Sequence, residues 1–263
     1  MKRKFVTMAF LAATLSMAAA QKTISVSVEN SSKTDRKAAP VVIQLAQCGI
    51  DVKSALVMNN GTEIPSQLDD LDGDGKYDEL CFLTDIGKAS KQAFNVTLED
   101  NGTPRSYEPQ VYAEMLMTNK KIKSNNKQDL YISSLTVDNG TNPYWMLHHH
   151  GPAFENDMVA YRIYFDHRQT VDTYGKYRKG LEIKQTQFYP SKEQKAAGFG
   201  DDVLWVGETF GLGALRGWNG SAPQMLKDVD HRTLRIVSRG PLRTIVEVVD
   251  EGWNTMNPGK EKI

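Results

Sequence analysis

The feature that most constrains this chain is a hydrophobic period of two. Ile24, Val26 and Val28 alternate with polar residues, as do Phe94, Val96 and Leu98. The pattern returns at Val159, Tyr161, Ile163 and Phe165, and again at Thr244, Val246 and Val248. Successive side chains of a strand point to opposite faces, so this alternation marks strands with one buried face. Between the runs stand Asn60-Gly61, Asn101-Gly102, Asn139-Gly140 and Asn219-Gly220. Asn and Gly tolerate positive φ, which tight turns between strands require. Several of these pairs continue into Thr or Ser as glycosylation sequons, but the turn accounts for them without a sugar. Only Lys192–Ala197 carries a helical pattern. The expected class is all-β.

The first residues follow a different rule. Met1-Lys2-Arg3-Lys4 precedes an apolar run from Phe5 to Met17, and Ala18-Ala19-Ala20 precedes Gln21. A basic start, a short apolar stretch and a small-residue cleavage site make a signal peptide over residues 1–20, cleaved near Ala20. The expected location is therefore periplasmic or secreted. The run is shorter than the roughly 20 residues a membrane anchor needs, and no later segment is more apolar, so membrane insertion is not expected. Residues 21–263 then suit one large antiparallel β sandwich, because such folds run to about 200–250 residues as a unit. The polar, basic stretch 118–129 reads as an exposed connection between N-terminal strands (21–117) and site-bearing strands (130–263). Lys+Arg and Asp+Glu are both 32, which gives no bulk field for nucleic acid. Cys48 and Cys81 are the only cysteines. Export permits a disulfide between them, while their apolar surroundings equally suit two buried free thiols.

The densest chemistry lies in Tyr144–Asn156, where His148-His149-His150 precede Gly151-Pro152 and Glu155. In an extended run His148 and His150 face one way and His149 the other. A fold-back at Gly151-Pro152 would make His149 and Glu155 an acid/base pair, suited to proton transfer because imidazole titrates near neutral pH. The bland reading is that these histidines only hydrogen-bond in a turn. On the next strand Arg162, Tyr164 and Asp166 lie opposite Val159, Tyr161, Ile163 and Phe165. The apolar face is expected inward and the polar face outward, either as a site or as an ordinary cross-strand salt bridge. Asp172, Tyr174 and Lys176 add an acid, a phenol and a base. Gly198-Phe199-Gly200 and Gly211-Leu212-Gly213 lack the GK[ST] and following helix of a phosphate loop. Trp145, Trp205 and Trp218 offer flat faces for sugar stacking, or ordinary β-core packing. Asp70, Asp72, Asp74 and Asp78, with Gly75 at the sixth position, match the start of a calcium loop. Cys81 stands where the bidentate Glu belongs, so a structural calcium site competes with an acidic hairpin tip.

The runs His148–Asn156, Val159–Asp166, Asp172–Lys176, Gly200–Leu204 and Arg239–Arg243, with Asp70–Phe82, resemble a family of secreted bacterial proteins of unknown function. The resemblance covers nearly all of residues 21–263. It implies a galactose-mutarotase-like β supersandwich and a neighbourhood of enzymes that degrade pectin-like, uronate-containing polysaccharides. Members of the family are longer, which implies further strands beyond Ile263. The resemblance names no reaction; the chemistry expected of the clustered residues on such a substrate is β-elimination beside a uronate. Arg162 or Lys176 would neutralise the carboxylate, His149 or His150 would take the proton, and Tyr164 or Tyr174 would protonate the leaving oxygen. Asn156 would join Lys176 and the tryptophans in holding the glycan. Hydrolysis or mutarotation through His149 and Glu155 would use the same cluster. A non-catalytic glycan-binding protein stacking sugars on Trp145, Trp205 and Trp218 is the competing expectation.

Overall fold

The computed structural model describes residues 20–118 and 130–253. The leader 1–20 (but for Ala20), all of the 118–129 connection but Thr118, and the tail beyond residue 253 lie outside the described residues. The chain first lays down β1 (Gln21–Asn30), β2 (Arg36–Gln44), β3 (Ser54–Asn59), β4 (Thr62–Ile64), β5 (Ser66–Asp69), β6 (Glu79–Ile86) and β7 (Ser90–Glu99). These pair antiparallel as two sheets, β1-β7-β3-β4 and β2-β6-β5. Register follows the alternation: Ile24 lies opposite Val96, and Val26 opposite Phe94. Their apolar faces meet in one core of Val57, Leu80, Phe82, Phe94, Val96 and Leu98, flanked by Val26, Val41 and Ile43. Asn60 and Gly61, at φ 48° and 80°, close β3 onto β4 by the tight turn that positive φ at both positions allows.

The second half contributes β8 (Val111–Glu114), β9 (Leu116–Met117), β10 (Leu130–Tyr131), β11 (Ser134–Asp138), β12 (Ala153–Asn156), β13 (Val159–Ile163) and β14 (Val171–Gly175). Two short helices follow, α1 (Ile183–Thr186) and α2 (Lys192–Ala196). After them come β15 (Asp201–Asp202), β16 (Gly217–Trp218), β17 (Pro223–Gln224), β18 (His231–Arg239) and β19 (Thr244–Glu251). The expected helix is α2, whose Ser191 and Gln194 form a reciprocal capping box. The all-β class is thus observed as several antiparallel sheets with few helical turns.

A sheet ordered β15-β14-β13-β12-β8 and a second ordered β11-β18-β19 build this half. Ala113, Val137, Leu147, Phe165, Leu234 and Ile236 form a core shared by both. Because β8 pairs with β12, the change from the first set of sheets to the second falls between β7 and β8, upstream of residue 118. A polar seam ties the halves together. The buried Gln67 amide donates to Ser238 Oγ at 2.7 Å, its carbonyl accepts from Leu242 N at 2.7 Å, and Arg243 Nε reaches Asp69 at 2.8 Å. Cys48 and Cys81 are both buried free thiols, the second of the two alternatives that their setting allowed.

The β13 expectation is reversed. Ala153, Glu155, Ala160, Arg162, Asp172 and Tyr174 are buried, while Phe154, Val159, Tyr161, Ile163 and Val171 are only half-buried. Register places the buried set on one face: Ala153 pairs with Arg162, Arg162 with Asp172, and Ala160 with both Glu155 and Tyr174. The segment carrying Ile183 and Phe188 packs onto that face. The polar side chains survive there because each finds partners, as buried charge requires.

Candidate active site

The histidine run is not extended. His148–His150 form a tight helical turn in which His149 and His150 hold φ at 48° and 67°. The left-handed kink defeats strand parity, and His148, His149 and His150 all line one open hollow of about 350 Å³. Trp145, Leu147, Thr118, Thr186, Gln187 and Tyr189 complete its walls. Its size falls within the roughly 300–1,000 Å³ range of small-molecule clefts. Gly151 pins the turn against β13: a Cβ there would lie 1.8 Å from the Ile163 carbonyl oxygen. Phe165 N donates to His150 O at 2.9 Å beside this contact. Only glycine permits so close an approach.

His150 is held on two sides. Its ring stacks on Tyr144 at 3.7 Å between centroids, nearly parallel. Its Nδ1 lies 2.9 Å from the Tyr144 carbonyl oxygen. A carbonyl only accepts, so Nδ1 carries the proton and Nε2 keeps its lone pair. Burial pushes His150 below the ordinary imidazole pKa, with Arg162, His149 and Arg168 adding to the effect against the Tyr144 hydrogen bond. The ring is therefore a neutral base near pH 7.

His149 is buried and does not pair with Glu155. Its Nε2 lies 2.9 Å from Glu114 Oε1, and the Tyr112 hydroxyl donates to Glu114 Oε2 at 2.6 Å. No sequence motif marks Glu114, because it ends a short, weakly patterned strand. Glu155 instead accepts from Glu182 N and Ile183 N at 2.9 and 2.8 Å and from Lys176 Nζ. Burial raises its pKa, opposed by those donors. Lys176 spends its remaining donors on the carbonyls of Asn156 and Gly180, at 2.6 Å each. These bonds fix where α1 begins and leave neither side chain at the hollow.

Arg162 is the hub of the buried face. It donates to Asp172 Oδ2 at 2.6 Å, Asp202 Oδ2 at 3.0 Å and Tyr164 Oη at 2.9 Å, and also to Tyr189 Oη. Its guanidinium lies 4.3 Å from the Phe188 ring centre. Tyr189, half exposed on the hollow, is thus held by a buried cation. Burial raises the Tyr189 pKa and Arg162 opposes it, so the phenol keeps its proton at neutral pH. Tyr164 is buried behind it against Arg162 and Asp172. The Tyr174 hydroxyl donates to Glu182 at 2.9 Å inside the core. Asn156 caps the β12–β13 turn by accepting from Met158 N and Val159 N.

Of the expected site residues, the structure brings His149, His150 and Trp145 to the hollow and places Arg162 and Tyr164 directly behind its Tyr189 wall. It does not bring Glu155, Tyr174, Asn156, Lys176, Trp205 or Trp218 there. Tyr189 was not anticipated; its only signal was an aromatic just beyond a glycine-free turn following α1. In the acidic loop the carboxylates of Asp70, Asp72 and Asp78 come within 4.8 Å of one another. Asp74 does not join them, and its Oδ1 accepts from Lys76 N at 2.8 Å. Asp70 accepts from Gly73 N and Gly75 N at 2.7 and 2.9 Å, so these acids also build the turn itself.

A family model described as a domain of unknown function (DUF4861) matches residues 28–262, and the chain belongs to that family. No curated protein and no solved structure matches it.

Proposed function

We propose that this member of the DUF4861 family is an exported enzyme that processes an acidic oligo- or polysaccharide by proton transfer in the imidazole-lined hollow. The reaction that suits the groups is β-elimination next to a uronate. His150 Nε2 takes the proton from the carbon bearing the carboxylate, the electron pair forms the ring double bond, and the C4–O bond breaks. Tyr189 gives its phenolic proton to the departing oxygen, and Arg162 steadies the phenolate left behind. Trp145 offers a flat wall to a sugar ring. The observation that carries the reading is His150: a stacked, uncharged imidazole with its donor nitrogen occupied, lining the same hollow as the protonated phenol of Tyr189. In this reading the paired sheets form a galactose-mutarotase-like supersandwich, and residues 1–20 direct export.

The test is a panel of pectic and other uronate polymers assayed by the ultraviolet absorbance of unsaturated product. His150→Ala should lower turnover about 10²–10⁴-fold without unfolding the chain. Because burial lowers the His150 pKa, the acid limb of the pH profile should lie below about 6.5, the free imidazole value. The same shift makes its stability contribution complete above about pH 6.5 and lost as pH falls towards the folded value. No absorbance rise on any uronate polymer removes the lyase. The second reading, a non-catalytic glycan-binding protein, draws on outward-facing Trp205 and Trp218, 94% and 62% exposed. It requires saturable binding with unchanged ligand.

A further inference from the structure

A second hollow, of about 320 Å³, is lined by Tyr112, Ala113, Tyr131, Lys184 and Arg239. The two hollows share an element and a chain of hydrogen bonds. Lys184 and Thr186 stand two residues apart on α1, about 200° around a helix axis, so one turn walls both hollows. The Tyr112 ring lines the second hollow while its hydroxyl reaches Glu114, which holds His149 in the first.

The charge in this second hollow is unbalanced. Among the described residues none that lines it is acidic, and neither Lys184 nor Arg239 makes an ion pair. The described acceptors that orient Arg239 are all neutral: Ile132 O at 2.7 Å, Ala113 O at 3.3 Å and Ser133 Oγ at 3.3 Å. Those bonds hold the guanidinium in place without cancelling its charge. By contrast, none of the described residues that line the imidazole hollow is a lysine or an arginine. A polyanionic glycan reacting there needs its charge met alongside.

We propose that the Lys184–Arg239 hollow is a subsite for an oxyanion on a neighbouring sugar of the glycan, with Tyr112 and Tyr131 flanking the ring. The fixed guanidinium brings its positive charge and its unspent N–H groups to a carboxylate or a sulfate, and the ammonium of Lys184, on its flexible stem, adds a second charge. This inference rests on the glycan reading above and adds the part of the molecule that selects acidic chains.

The experiment titrates the full chain with an oligogalacturonate, its carboxyl-reduced neutral counterpart and a sulfated oligosaccharide, by calorimetry. The wild type should bind one anionic probe about tenfold or more tightly than the neutral one. Lys184→Met should erase most of that preference and leave the neutral affinity unchanged. Arg239→Lys, which keeps the charge but loses the bonds that fix its position, should fall between, and a thermal melt checks that it folds. Whichever anion is preferred identifies the group as carboxylate or sulfate. Equal binding of charged and neutral probes, or unchanged affinities in Lys184→Met, overturns the subsite. His150→Ala tests the catalytic reading separately: if it turns over normally while Lys184→Met loses its preference, the catalytic reading fails and the subsite stands.

Discussion

In the sheet β1-β7-β3-β4 the buried face is Val57, Phe94, Val96 and Leu98, whereas in β15-β14-β13-β12-β8 it carries Glu155, Arg162 and Asp172 between small and aromatic residues. Both sheets alternate with period two. The first turns its apolar set inward and needs nothing else, because hydrophobic contact is non-directional. The second buries its polar set, so each donor and acceptor has to meet a partner in fixed geometry. Alternation therefore records that a strand has two chemically different faces. It does not say which face is covered, since that is decided by what packs on top, here the segment with Ile183 and Phe188.

The strongest way to break this comparison is at Arg162. Arg162→Met keeps the volume and removes the cation, leaving Asp172 buried and Asp202 partly so without their shared partner. Removing one side of a buried pair costs about 3–5 kcal/mol. Burial already raises the Asp202 pKa against the pull of Arg162, so the variant should recover part of its stability as pH falls and Asp202 takes a proton. Urea unfolding at pH 5 and pH 8 measures both effects. A variant as stable as the wild type at pH 8 would mean that the polar face is not held as a network. In the apolar sheet the matching change is Leu98→Ala, which removes a fully buried side chain and costs about 2–5 kcal/mol. That loss should be the same at both pH values, and a pH-dependent loss would erase the distinction between the two faces.

The strands and turns were readable because they depend on near neighbours along the chain. Ile24, Val26 and Val28 announce β1, and Asn60-Gly61 announces the β3–β4 hairpin, by side-chain period and positive φ alone. The face reversal of β13 was not readable, because a four-residue helix twenty residues downstream decides it. The histidine run shows the same limit. Parity placed His149 opposite His148 and His150, but a left-handed turn held by Gly151 against Ile163 gathers them on one hollow. Partners were harder still: Glu114 for His149 and Tyr189 for Arg162 lie 35 and 27 residues away, and no local pattern encodes such pairings. The acidic loop fell between these cases, with three of its four acids drawn together by local backbone bonds.

The smallest expected effect is at Trp205, and it sharpens the contrast from outside. The segment after β15 displays Val203, Trp205, Leu212 and Leu215 to solvent, and Trp205 is 94% exposed. Neither buried face depends on it, so Trp205→Ala should change stability by less than about 0.5 kcal/mol, as surface substitutions do. The same variant separates the two functional readings. If Trp205 is a sugar platform, its loss weakens glycan binding roughly two- to tenfold, the scale of one aromatic stacking contact. If the imidazole hollow alone handles the glycan, affinity and turnover stay at the wild-type level, because Trp205 does not line that hollow. Calorimetry with one uronate oligosaccharide, beside a melt of the same sample, reads both quantities. A melt lowered by several degrees would show that the segment packs against the sheet after all, and that the covered face of β13 extends further than α1 and Phe188.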